Sequence, residues 1–165
     1  RFRQVLVYDL PSQSSQAKKM KTHAATVHRL LGIEAATVGQ WRQAMGHFDQ
    51  AVRRRPEDAF LMNNLAYSML KADPTPADLR EAEELGNRAM DVAGPHPEIL
   101  ATRGEILLRL RRYSAALADL EAALGPLGGR PELHRLIAEC YDALGTKSLA
   151  EKHRKMADRE SEDDG

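Results

Sequence analysis

Cysteine, net charge and long apolar runs are all scarce in this chain, and each shortage closes off a class of protein. Cys140 is the only cysteine in 165 residues, so there is no intramolecular disulfide framework, and its apolar and small neighbours mark it as packed. The 24 basic residues are matched by 24 acidic ones, so no global field draws nucleic acid or an anionic membrane, and partners have to be argued from local surfaces. No run of about eighteen apolar residues exists, and the opening "RFRQVLVYDLPSQ" is too briefly apolar for a signal or membrane segment. The start at Arg1 rather than Met points to a piece of something longer. The compartment is therefore undetermined: cytoplasmic by default, periplasmic or membrane-associated if an upstream segment was removed. The high Ala, Arg and Leu usage is compatible with a bacterial source.

Internal repetition is what the chain does have. The segments "WRQAMGHFDQAV", "LREAEELGNRAM", "YSAALADLEAAL" and "KSLAEKHRKMA" align on Ala44, Ala82, Ala116 and Ala150, at intervals of 38, 34 and 34 residues. Seven residues after each comes Ala51, Ala89, Ala123 and Ala157. A second apolar-periodic segment precedes each of these: "VHRLLGIEAATV", "MNNLAYSMLK", "LATRGEILLRL" and "HRLIAECYDAL". Their apolar residues recur at three- and four-residue intervals, as amphipathic helices require, and none alternates like a half-buried strand. Turn chemistry falls between them, at Gly39, Pro56, "DPTP", "GPHP", "GPLGGRP" and Gly145. The reading is an all-α chain of helix, short turn, helix, four times over.

At this point the residues resemble the tetratricopeptide repeat, a pattern of thirty-four residues. The third unit carries it best, with Gly104, Leu107, Tyr113, Ala116, Leu120 and Ala123. The first offers Leu31, Gly32, Gly39, Trp41, Ala44, Phe48, Ala51 and Pro56, and the fourth Ala138, Tyr141, Gly145, Ala150 and Ala157. In the second, Leu65, Ala66, Ala82 and Ala89 match, but Gly86 stands where a large apolar residue is usual, and four extra residues lengthen the turn around "ADPTPADL". The resemblance implies a right-handed α-α superhelix of antiparallel helix pairs. Its units are expected at about 25–58, 59–96, 97–130 and 131–158. Residues 1–24 are then an extension, either a lengthening of the first helix from a cap near Ser12 to Ser15 or, through "QVLVYDL", the end of a preceding unit. Residues 159–165, acidic and without an apolar face, are expected to be a disordered tail.

Chemistry is harder to find. No two of the histidines at 23, 28, 47, 96, 134 and 153 have the four-residue spacing of a helical zinc motif, so they read as surface or packing residues. Nothing local supplies Cys140 or a serine with a base and an orienting carboxylate. "GPLGG" lacks the lysine and hydroxyl of a nucleotide loop. Catalysis, a metal and a cofactor are accordingly not expected. The arginines at 53–55 and 109–112 read as cations at helix C-termini, opposing the dipole, in preference to a nucleic-acid site. Trp41, alone beside basic residues, reads as one period of scaffold, not as a ligand platform.

What the resemblance implies for function is a concave groove lined by the first helix of each pair. Carried onto this sequence, the groove residues are Arg29 and Ile33 in the first unit; Phe60, Asn63, Asn64, Tyr67 and Lys71 in the second; Thr102, Glu105 and Arg109 in the third; and Arg135 in the fourth. The mixed surface suits a peptide or helix of a partner protein, with asparagine amides bonding a peptide backbone. A carboxylate-terminated chaperone peptide is disfavoured. Ile33 stands where an asparagine is expected, and Glu98 and Thr102 replace expected cations. The alternatives are self-association through exposed end units, and service as a docking appendage of a larger enzyme or an envelope-associated protein. If Ala116 is a helix-crossing contact, Ala116→Leu overpacks it and lowers stability by roughly 1–3 kcal/mol. An unchanged melting temperature would count against the alignment.

Overall fold

The computed structural model describes residues 13–127 and 130–163, so "QVLVYDL" and the expected cap at Ser12 lie outside the described residues. Among those residues eight helices follow in order: α1 (Gln13–Thr37), α2 (Trp41–Arg54), α3 (Ala59–Lys71), α4 (Pro76–Ala93), α5 (Pro97–Arg109), α6 (Tyr113–Leu124), α7 (Pro131–Ala143) and α8 (Lys147–Asp163). Each odd helix packs most closely on the even helix that follows it, and each pair packs on the next. In addition α3 packs on α5 and α5 on α7, so the odd helices share one face of the stack.

Local chemistry sets the starts. Asp58 caps α3 by accepting from the Leu61 amide at 3.1 Å. Thr75 and Asp78 form a reciprocal capping box at the start of α4, with Pro76 in the first turn. That motif lies in the four extra residues of the second unit, which are thereby used to begin a helix. Four turns each need a left-handed residue, and equivalent slots are filled by Gly39 (φ 73°), Asp73 (φ 61°), Arg111 (φ 61°) and Gly145 (φ 81°). Glycine takes this conformation at no steric cost, whereas Arg111 does so with its Nε donating to the Tyr113 hydroxyl at 3.0 Å.

The aligned alanines are where pairs cross. Ala44, Ala82, Ala116 and Ala150 are each 0% exposed. Beside them, a Cβ on Gly32 would lie 2.8 Å from the Phe48 ring, and one on Gly104 would lie 2.7 Å from Leu120 Cγ. Glycine on the inner helix is thus matched to a large residue on the outer one. In the second unit the outer position is Gly86, and the place of the missing apolar side chain is taken from the next unit. The aliphatic stem of Arg103 passes 3.4 Å from where a Gly86 Cβ would be. Its guanidinium then binds Asp119 at 2.7 and 2.8 Å and Asn87 at 3.1 Å, tying α4, α5 and α6 together.

Two expectations are corrected. Arg53, Arg54 and Arg109 do occupy last turns, but Arg111 and Arg112 lie beyond α5 in the connection to α6. Arg112 pairs back with Glu83 on α4, so its charge serves an inter-unit contact. The acidic residues after 158 continue α8 to Asp163 instead of leaving it as a tail. The Ser161 hydroxyl donates to the Ala157 carbonyl at 2.8 Å and accepts from Arg135 at 2.9 Å, which anchors that last stretch of helix to α7. At the other end α1 runs unbroken from Gln13 across the expected boundary at 24.

The end units share a further device. His28 and His47 bring their Nδ1 atoms to 3.3 Å, and His134 and His153 theirs to 2.9 Å, each pair joining an inner to an outer helix. The pairs are equivalent, lying sixteen residues before and three after Ala44 and Ala150. One neutral ring donates and the other accepts, an arrangement that two protonated rings forbid. Burial, then Arg54 and His47, hold His28 below the ordinary histidine value. Burial, then His134, with Lys152 adding and Glu121 opposing, do the same for His153. A depressed folded pKa means that the unfolded chain takes the proton more readily. The stability these rings contribute is full above about pH 6.5 and is lost as pH falls through their lowered values. The melting temperature is expected to drop between pH 7.5 and 5.5, and to drop less in the His28→Gln, His153→Gln double variant; equal drops would refute the assignment.

Candidate functional site

Three adjoining depressions run along the face shared by the odd helices, and Tyr67 of α3 lines all of them. The first, of about 280 Å³, lies between the first pair and α3 and is walled by Ile33, Ala36, Trp41, Phe48, Asn64 and Tyr67, with Thr37 and Ser68. The second, of about 320 Å³, lies between α3, α5 and the start of α7; Asn63, Asn64, Tyr67, Ala101, Thr102 and Glu105 meet Leu133 and Leu136 there. The third, of about 410 Å³, continues past Lys71, Glu105 and Arg109 to Arg135, Leu136 and Glu139.

Tyr67 is held from both sides. The Trp41 ring meets it edge-on, with centroids 5.7 Å apart and planes at 83°. Lys71 Nζ stands 5.1 Å from the Tyr67 ring centroid and donates to Glu105 Oε1 at 2.6 Å, so one cation bridges an aromatic face and a largely buried carboxylate. Pairing continues along the face. Arg130 binds Glu98 at 2.9 Å, and Arg109 lies 3.7 Å from Glu139 and 3.8 Å from Glu105. The Thr102 hydroxyl donates to the Glu98 carbonyl of its own helix at 3.0 Å, so it shapes the floor without offering that proton elsewhere. Asn63 is different: it is 8% exposed, and its Oδ1 accepts no hydrogen bond from the described residues. It therefore does not bridge helices through that atom.

Of the groove residues expected from the sequence, Ile33, Asn63, Asn64, Tyr67, Lys71, Thr102, Glu105, Arg109 and Arg135 line this run of depressions. Arg29 and Phe60 line none of the three. Phe60 packs edge-on against His96, with centroids 4.9 Å apart, and opens onto a separate hollow with Pro56, Val92 and Ala93. Phe60 lies on the same side of α3 as Tyr67, about two turns before it, and at the start of that helix it reaches the end of α4 and the cap of α5. Trp41 was missed. It opens the outer helix two residues after the left-handed Gly39, and that turn swings its ring to the rim of the inner face. Cys140 is fully buried in α7, where burial first, then Glu139 and Glu121, push its thiol up to about 11, the opposite of nucleophile activation.

No family model and no curated protein matches the sequence. Solved structures do match. A crystal structure of MamA superposes with a TM-score of 0.68 at 17% identity over 90% of this chain and 87% of that one. MamA from Desulfovibrio magneticus RS-1 gives 0.67 at 16% identity, over 81% and 73% respectively. The tetratricopeptide domain of Arabidopsis OM64 gives 0.60 at 23% identity, over 82% of this chain and 97% of that one. The chain has the tetratricopeptide-type helical-repeat fold, as its residues led us to expect. At these identities the likeness establishes the fold alone. No described helix is long and apolar enough to cross a membrane.

Removing the cation while keeping its stem, as in Lys71→Met, leaves the Glu105 carboxylate without its closest partner. Both groups retain some solvent, so the expected loss is about 1–2 kcal/mol by urea denaturation, not the larger cost of a fully buried pair. No loss at neutral pH, or the same loss in a Glu105→Gln background, would show that the ion pair contributes nothing to joining α3 and α5.

Proposed function

We propose that this chain is a non-enzymatic protein-interaction module that holds a peptide or helix of a partner protein along the inner face of the odd helices. The observation that carries the reading is the continuity of the three depressions through Tyr67, which makes one track across all four units. The track combines apolar walls with a few placed amides, the composition of a recognition groove. Its residues sit on packed helices, so binding orders little that is not already ordered. Partners of one strong charge are poorly served, since Glu98 and Glu105 already have Arg130 and Lys71.

A second reading is supported by α1 and its end, where Met20, Val27 and Leu30 on the helix and Val38 just past it are 54–73% exposed. Such a surface favours self-association or contact with a neighbouring domain of a longer chain. Two measurements separate the readings. Affinity capture with the domain is compared with the Asn64→Ala, Tyr67→Ala double variant, whose melting temperature should be nearly unchanged; loss of partners supports the groove, and identical recovery removes it. Sedimentation over a range of concentrations tests α1: a persistent monomer removes self-association.

A further inference from the structure

We propose that His28 and His47 form a binding site for a divalent transition-metal ion of the copper, nickel or zinc kind, held between α1 and α2 by the two Nδ1 atoms. The site lies in the first unit and does not depend on the groove. Its ligands are nineteen residues apart and come from two helices, so no spacing within one helix announces it. Their Nδ1 atoms face each other at 3.3 Å. Two imidazole nitrogens bound to one ion at about 2.0–2.1 Å, at the tetrahedral angle, stand about 3.3–3.4 Å apart. A direct N–H hydrogen bond is ordinarily shorter, about 2.7–3.2 Å. Both rings are partly exposed, which gives an ion and its waters a way in.

The other units show what this register needs for packing. At the equivalent positions the second unit has Ala66 and Leu85, 0% and 6% exposed, and the third has Leu100 and Asp119, the latter taken by Arg103. An apolar pair thus satisfies the helix contact, which does not require facing imidazoles. The fourth unit repeats the histidines in a closed form. His134 is 4% exposed, its Nε2 lies 3.4 Å from Glu160, and the Tyr141 and His153 ring centroids are 5.6 Å apart. The Nδ1–Nδ1 distance there, 2.9 Å, is that of an ordinary hydrogen bond, so the first pair is the open one. Its surroundings select the ion. No third histidine, cysteine or carboxylate joins the pair among the described residues, so water fills the remaining coordination positions. Arg54, bonded to Gln50 at 2.6 and 2.8 Å, puts a positive charge beside His28. A neutral nitrogen pair near a cation offers nothing to Mg²⁺ or Ca²⁺, which demand oxygen ligands. It suits the ions that imidazole binds well, copper ahead of nickel and zinc.

The test titrates the full 165-residue chain with Cu²⁺ and reads the fluorescence of Trp41, the only tryptophan, which opens α2 six residues, about 9 Å of helix, before His47. The expected result is saturable quenching that a chelator reverses, that Ni²⁺ and Zn²⁺ compete away and that Mg²⁺ leaves untouched. His28→Gln and His47→Gln each weaken Cu²⁺ binding at least about a hundredfold, since a ligand counts for no less than the groups that orient it. His153→Gln leaves the titration unchanged. Ni²⁺ raises the melting temperature, increasingly with concentration, and His28→Gln abolishes the rise. A variant can also lose binding by loosening the first pair, so the unaltered chain supplies a second readout: Zn²⁺ shifts the imidazole NMR signals of His28 and His47. Quenching that survives both His28→Gln and His47→Gln, or zinc shifts that miss those two rings, overturns the site. Quenching lost with His153→Gln overturns it too, in favour of the pair in the fourth unit.

Discussion

The whole stack depends on how closely two helices approach at four alanines. With Ala44, Ala82, Ala116 and Ala150 excluded from solvent, the spacing within each pair is set by a single methyl group, and everything beside it is fitted to that distance. Gly32 and Gly104 exist because Phe48 and Leu120 need the space that closeness leaves. The odd helices then fall into one face, and their residues at groove positions are held without help from a ligand. The shape of the inner face is thus a consequence of pair spacing.

Where the repeat departs from its own pattern, the neighbouring unit compensates. Gly86 would leave a void between α4 and α5, and Arg103 fills it with its stem while Asp119 satisfies its charge. The same logic joins units elsewhere: Arg112 reaches Glu83, Arg109 reaches Glu139, and Lys71 reaches Glu105. Each of these three contacts crosses from one repeat to the next, so these ion pairs tie units together, while Arg103–Asp119 and Arg130–Glu98 act within one. Surface pairs are individually weak, but these are aligned along one-dimensional stacking, where inter-unit coupling decides cooperativity.

Much of this was legible in the residues and some was not, for identifiable reasons. Helix period, turn glycines and the spacing of alanines are local signals, so the four pairs and their crossings follow from sequence alone. The continuation of α8 to Asp163 was hidden because its anchor, Arg135, lies on another helix. The lengthened turn of the second unit looked like a defect and is a capped helix start, a case where Thr75 and Asp78 announce themselves only once the frame is known. Groove positions were readable to the extent that the helix face was. Nine of them line the depressions, while Phe60 escapes because it stands in the first turn of α3, where that side of the helix meets His96 and the end of α4. Trp41 escaped the opposite way. Its ring direction is set by the left-handed Gly39 turn and by the angle of its pair, neither of which is written in the spacing of apolar residues.

Asn63 and Asn64 show most clearly what three dimensions add. As neighbours in sequence they have the same chemistry and the same apparent role. On α3 they are about 100° apart, so Asn63 is turned into the packed interior and Asn64 stays partly exposed. Burial makes the first amide the costlier of the two: in water its acceptor would be satisfied, whereas here its Oδ1 has no donor among the described residues. Two residues adjacent in sequence thus differ in solvent access alone, a difference that helix rotation and packing set and that residue type does not announce.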